Sequence, residues 1–174
     1  MAYSLFSRLL ATIACSLLPF SLAAETREIG AVSTAFKLIG PNHKIKISAF
    51  DDPKVSGITC YIARPKTGGI KGAVGLAEDP SIASVSCVQT GAVSYKEDIE
   101  LDKNGEEVFD ESRSLIFKSL KVNRLYDAAN GSLVYVVRTK RIIEGSPTTS
   151  ISVVTPVVWN GKAPQKPKTE QKHS

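Results

Sequence analysis

Apolar residues recur at every second position through much of the chain. In His43–Phe50, Ile45, Ile47 and Ala49 share one phase, and Lys44, Lys46 and Ser48 share the other. In ITCYIAR (58–64), Ile58, Cys60 and Ile62 fall on one side. IASVSCV, EVF, SLIFK, LVYVV and SISVV are short and rich in β-branched or aromatic residues. Successive strand side chains point to opposite faces, so this pattern predicts short, half-buried strands. Asn104-Gly105 and Asn130-Gly131 each lie between two such runs. Asn-Gly suits the positive φ angles of a type I′ turn, so antiparallel hairpins are expected around 95–109 and 120–139. One stretch departs from the pattern. Residues 67–79, TGGIKGAVGLAED, place Ile70, Val74 and Ala77 on one face of a short helix but carry four glycines. Each glycine costs a helix about 1 kcal/mol relative to alanine, so loop plus a marginal helix is expected. The fold class is therefore mainly β, an antiparallel sandwich or partly open barrel with one minor helix. An α+β arrangement is the alternative.

The N-terminus follows a different logic. Arg8 precedes a largely apolar run from Leu9 to Leu22, small residues follow, and no carboxylate occurs before Glu25. That order is a cleavable secretory signal over residues 1–23. As helix the run spans about 21 Å, short of a bilayer core, so no transmembrane span is expected after cleavage. Thr12-Ile13-Ala14-Cys15 loosely resembles a lipid-attachment box. The apolar run continues past Cys15, however, and the cysteine is expected to leave with the signal.

Charge narrows the partners. The chain is formally +5, but residues 24–159 hold 17 basic and 16 acidic side chains. The excess sits in Arg8 and in a tail, 160–174, with Lys162, Lys166, Lys168 and Lys172 against Glu170. So near-neutral a core argues against a nucleic-acid partner. The tail has almost nothing apolar to bury, so it is expected to be disordered. Residues 24–159 are the length of one domain.

Two cysteines remain after the signal, Cys60 and Cys87. In an exported chain such a pair is expected as a disulfide. Closing its loop would stabilise the fold by about 3.5 kcal/mol on the chain-entropy model. A redox-active pair is the rival, but the cysteines lack the C-x-x-C spacing that activates one thiol.

Catalytic motifs are wanting. There is no G-x-S-x-G, no S-x-x-K and no phosphate-binding or dinucleotide glycine motif. His43, before the tail, stands alone in a turn, and no catalytic residues, metal site or cofactor are assigned. Asp51-Asp52 and Glu78-Asp79 each directly precede a proline, and Asp52-Pro53 and Asp79-Pro80 read as turn starters. Asn130-Gly131-Ser132 is a formal glycosylation sequon that its turn explains. The glycine-rich stretch leaves one weaker candidate. Arg64, Lys66 and Lys71 flank Gly68, Gly69 and Gly72, whose backbone N–H groups could form an anion-binding nest.

Several stretches also resemble the CreA family of small exported proteins of Gram-negative bacteria. They are Phe36–Lys44 (FKLIGPNHK), Phe50–Pro53, Thr59-Cys60-Tyr61, Thr67–Gly72, Gly75–Asp79 and Ser86-Cys87. Phe117–Leu120 and Gly145-Ser146-Pro147 follow in the same order. The resemblance runs from about Glu28 to Trp159. It implies a periplasmic location, and the family's name ties it to a carbon-source-responsive regulatory locus. It carries no catalytic residues with it. The expected function is a non-enzymatic periplasmic binding or interaction module whose partner is an unknown periplasmic protein or a small anionic ligand. The alternatives are an anion-responsive sensor through the glycine-rich loop and a thiol-redox protein.

Overall fold

The computed structural model describes residues 24–69, 83–112, 119–139 and 149–168. Eight strands follow one another along the chain: β1 (Thr26–Ala35), β2 (His43–Asp51), β3 (Val55–Lys66), β4 (Ser84–Tyr95), β5 (Glu106–Ser112), β6 (Ser119–Asp127), β7 (Ser132–Thr139) and β8 (Thr149–Val154). They form two antiparallel sheets in sequence order, β1-β2-β3-β4 and β5-β6-β7-β8. The mainly β expectation therefore holds. The barrel is not closed: the sheets meet along β4 and β8, and β1 and β5 are outer strands of their sheets. The expected minor helix falls, from Ile70 onward, outside the described residues, as does SLIFK.

The inner faces follow the register. Phe50 lies opposite Cys60, and Cys60 opposite Cys87, in the first sheet. Val122 lies opposite Phe109 and Val137 in the second. These residues are buried and belong to one core with Ile58, Ile62, Leu133 and Tyr135. The Phe50 and Phe109 rings stack across the two layers at 4.5 Å. Strand β2 is turned over relative to its apolar count. Ile45 is exposed and Ile47 only half-buried, while Ser48, Ala49 and Phe50 are buried. One bulky Phe50 contributes more to the core than the two smaller residues would.

The Cys60 and Cys87 sulfurs are bonded, with Cα atoms 4.0 Å apart. The Cys87 N–H does not donate to β3. It donates to Ser152 Oγ at 2.8 Å on β8. The cysteines are thus a non-hydrogen-bonded cross-strand pair, the register position that brings Cβ atoms closest.

The same side of β4 is covered by the C-terminal segment. The Val85 N–H donates to Ser150 Oγ, the Gln89 amide exchanges hydrogen bonds with Val157, and the Gln165 N–H donates to Val93 O. An otherwise open strand edge is a template for aggregation, and these contacts cover it.

Three local expectations need correction. Strands β4 and β5 belong to different sheets, so 95–109 is a crossing and not a hairpin. Ile99 is buried beneath it, which draws the connection across the core. The β6–β7 hairpin exists, but Asp127 pairs with Ser132 around a four-residue loop. Asp127 Oδ1 accepts the Ala129 and Asn130 N–H groups, and among the loop residues Gly131 alone has positive φ. Side-chain capping by Asp127 replaces the type I′ geometry. Residues 160–168, expected as the start of a disordered tail, follow on from the strap along β4. Asn160 and Gly161 have φ of 46° and 78°, and Trp159 and Lys162 exchange two backbone hydrogen bonds. This third Asn-Gly is the one that forms the tight two-residue turn.

Replacing Cys60 and Cys87 together by serine should lower unfolding free energy by about 3.5 kcal/mol. Denaturant titration of oxidised protein and variant measures it, and equal midpoints would contradict a stabilising role.

Candidate functional site

Two arrangements among the described residues are candidates: an ionic cluster inside the sandwich and the turn between β1 and β2. The interior cluster starts from an Asx turn. Asp52 follows β2, and its Oδ1 accepts the Lys54 and Val55 N–H groups, both at 2.9 Å. This fits the turn-starting role expected for Asp52-Pro53. The same carboxylate also reaches the opposite sheet. Arg124 Nη1 donates to Asp52 Oδ2 at 2.6 Å and to Oδ1, and Tyr135 Oη donates to Oδ2 at 2.7 Å. Arg124 Nη2 donates to Glu106, which also pairs with Lys54 Nζ. Asp52, Arg124 and Tyr135 are 1%, 1% and 0% exposed.

The strand phase dictates this burial. Leu120, Val122 and Arg124 alternate on the inner face of β6, and Tyr135 is the cross-strand partner of Arg124. Burial opposes the charge on Arg124, but Asp52, Tyr135 and Glu106 outweigh it and hold the guanidinium above its ordinary value. Burial, then the Asp52 charge and its hydrogen bond, push the Tyr135 hydroxyl far above the usual phenol range. Burial also pushes Tyr95 up to about 12. Arg124 Nε is the one buried side-chain polar atom without a hydrogen-bond partner among the described residues. This cluster can clamp two sheets. Asp52, Arg124 and Tyr135 turn their donors and acceptors on one another, Arg124 Nε apart, and all three are buried. Sequence reasoning missed it, although a signal existed: Asp52 and Arg124 continue the inner phases set by Phe50 and Val122.

The second location joins two of the family-like stretches. The Gly68 N–H donates to His43 Nδ1 at 3.0 Å, and the Gly69 N–H donates to Pro41 O at 2.7 Å. The Lys37 N–H donates to Asn42 Oδ1. A Cβ on Gly68 would stand 2.1 Å from Pro41 O, so the close approach needs glycine. The β1–β2 turn is thereby held against 67–69. At its tip Phe36, Leu38 and Ile39 are 80%, 89% and 67% exposed. Hydrophobicity alone did not mark them as a site.

The expected anion nest is not assembled from its described members. The N–H groups of Gly68 and Gly69 go to protein acceptors, and the Arg64 guanidinium forks onto Glu111 of β5. Lys66, at the end of β3, has a partner as well. Lys71 and Gly72 lie outside the described residues. No group of His, Cys, Asp and Glu among the described residues could hold a metal ion. No helix among them is long and apolar enough to cross a membrane.

A two-sheet sandwich with an internal ionic clamp and a cross-strand disulfide defines the structural class. The sequence profile described as CreA protein matches residues 29–159. The chain is 48% identical over 148 residues to Protein CreA of Escherichia coli strain K12, covering 84% of this chain and 94% of that protein. The same values hold for Protein CreA of E. coli O6:H1 and O157:H7. The chain belongs to the CreA family. No solved structure matches it.

Two outcomes follow for the clamp. Arg124→Met should cost about 3–5 kcal/mol by leaving a buried carboxylate uncompensated. Adding Asp52→Asn should cost at least about 1 kcal/mol less than the sum of the single changes. Strictly additive losses in denaturant melts would show the pair to be uncoupled. Alkaline titration provides the second test. Tyr95 keeps its proton to a higher pH in the folded than in the unfolded chain, so its contribution is complete below the ordinary phenol pKa of 10.0 and declines toward about 12. Stability should fall over that interval, and phenolate absorbance should show Tyr95 and Tyr135 ionising late in the native protein. Ionisation of all tyrosines near 10 would contradict their burial.

Proposed function

We propose that the chain is a non-enzymatic interaction module that works in the periplasm after export by its N-terminal signal. The observation that carries this reading is the β1–β2 turn. It presents three large apolar side chains to solvent while hydrogen bonds to 67–69 hold its base. Exposed apolar clusters on soluble domains mark interaction surfaces. A turn that is already ordered loses less conformational entropy on binding. The Cys60–Cys87 disulfide supports an oxidising compartment.

The other readings draw less support. A redox role needs an accessible sulfur, and Cys60 is fully buried. An anion sensor needs donors that here serve protein acceptors.

A photo-crosslinking amino acid placed at Leu38 in living cells tests the proposal. A discrete adduct is expected there and not from the same probe at Lys103, in the crossing at the far end. No adduct from position 38 to either protein or lipid, or equal labelling from both positions, would overturn the reading.

A further inference from the structure

One end of the sandwich carries lysines without carboxylates. From Ile29 to Phe50 the sequence holds Lys37, Lys44 and Lys46 and no carboxylate. Lys46 pairs with Glu28, whereas Lys37 and Lys44 form no ion pair among the described residues. Lys44 lies directly opposite Lys66 in the β2–β3 register. Lys66 has a partner of its own, so Lys37 and Lys44 are the cations this end leaves without an ion pair among the described residues. The 96–105 crossing carries Glu97, Asp98, Glu100 and Asp102 together with Lys96 and Lys103. It leaves the sheet where Val55 pairs with Tyr95, at the other end of the 12-residue β3. The two ends stand roughly 35 Å apart at strand rise per residue.

The cationic end is also the apolar end. Phe36, Leu38 and Ile39 bracket Lys37 at the tip, and Ile29, Val32 and Ile45 continue the exposed apolar surface down β1 and β2. Every residue from Ala31 to Pro41 is exposed, so the tip is a projection and not a groove. A protein partner would need a matching apolar cavity lined with acid. A fluid bilayer accepts a projecting apolar tip without shape matching, and its anionic headgroups complement the flanking lysines.

Resting on the interaction reading above, we propose that the β1–β2 tip docks on an anionic lipid surface. Phe36, Leu38 and Ile39 enter the interface, and Lys37 and Lys44 face lipid phosphates.

The experiment is co-sedimentation of the protein, purified in the form that cells accumulate, with vesicles. One set is phosphatidylglycerol with phosphatidylethanolamine, and the other is phosphatidylcholine alone. Binding to the anionic set is expected, with at least tenfold weaker binding to the neutral set. The same loss is expected for Phe36→Ser/Leu38→Ser/Ile39→Ser on anionic vesicles. Lys37→Gln/Lys44→Gln should weaken anionic binding and flatten its salt dependence. Leu38→Ser alone, with an unchanged melting curve, serves should the triple variant fail to fold. Absence of wild-type binding, equal binding to both vesicle sets, or undiminished binding of the serine variants would overturn the proposal. So would a dimer that dissociates on the same substitutions, which would assign the tip to a second copy of the chain. A protein adduct from position 38 without vesicle binding would overturn the lipid assignment and leave the interaction reading standing. Neither adduct nor vesicle binding would overturn both.

Discussion

The Asp52–Arg124 ion pair is the constraint on which the assembly of this fold depends. Each sheet is a meander of four consecutive strands, and the first half of the chain builds one sheet and the second half the other. Local pairing therefore builds each sheet without reference to its partner. Apolar inner faces attract, but hydrophobic attraction is non-directional and leaves their relative position open. A buried carboxylate held by two backbone N–H groups on one side, and met by Arg124 and Tyr135 from the other, has far fewer satisfactory arrangements. Sliding one sheet past the other would leave charges buried and unpaired, a cost of several kcal/mol per ion.

The remaining cross-sheet contacts elaborate that choice. Phe50 stacks on Phe109, and Arg64 reaches Glu111. Along β4 the Ser150 and Ser152 hydroxyls bond backbone groups that a neighbouring strand would otherwise pair. Two sheets with separate ladders thus share one seam, which the Cys60–Cys87 disulfide adjoins. On the far side no described strand pairing joins β1 to β5, so the structure is a sandwich closed along one side.

The internal and external parts of the molecule are organised by opposite rules. Inside, the buried side-chain polar atoms among the described residues are satisfied, with Arg124 Nε the exception. Outside, at the β1–β2 turn, apolar side chains stand in water. Hydrogen bonds from the Gly68 and Gly69 N–H groups hold the turn that carries them. Gly68 and Gly69, read from sequence as part of a ligand cradle, donate to protein acceptors. The residues they support were read there as part of a resemblance and not as a surface.

By itself the sequence determined the class of fold, because side-chain alternation is a local property of a strand and survives any tertiary arrangement. It also determined that Cys60 and Cys87 are suited to pair, and that the chain resembles the family to which it belongs. It was less informative where two positions distant in sequence had to be considered together. Asn104-Gly105 looks like a hairpin turn until Ile99 is seen to be needed in the core. Asp52 is legible as a turn former, and its second role required knowing that β6 would bring Arg124 within hydrogen-bonding reach. The glycine N–H groups of 67–69 could be counted in sequence, but their acceptors, His43 and Pro41, are supplied by another strand connection. Tertiary structure alone decided which polar groups satisfy one another, because desolvation and pairing are set by neighbours in space and not by neighbours in the chain.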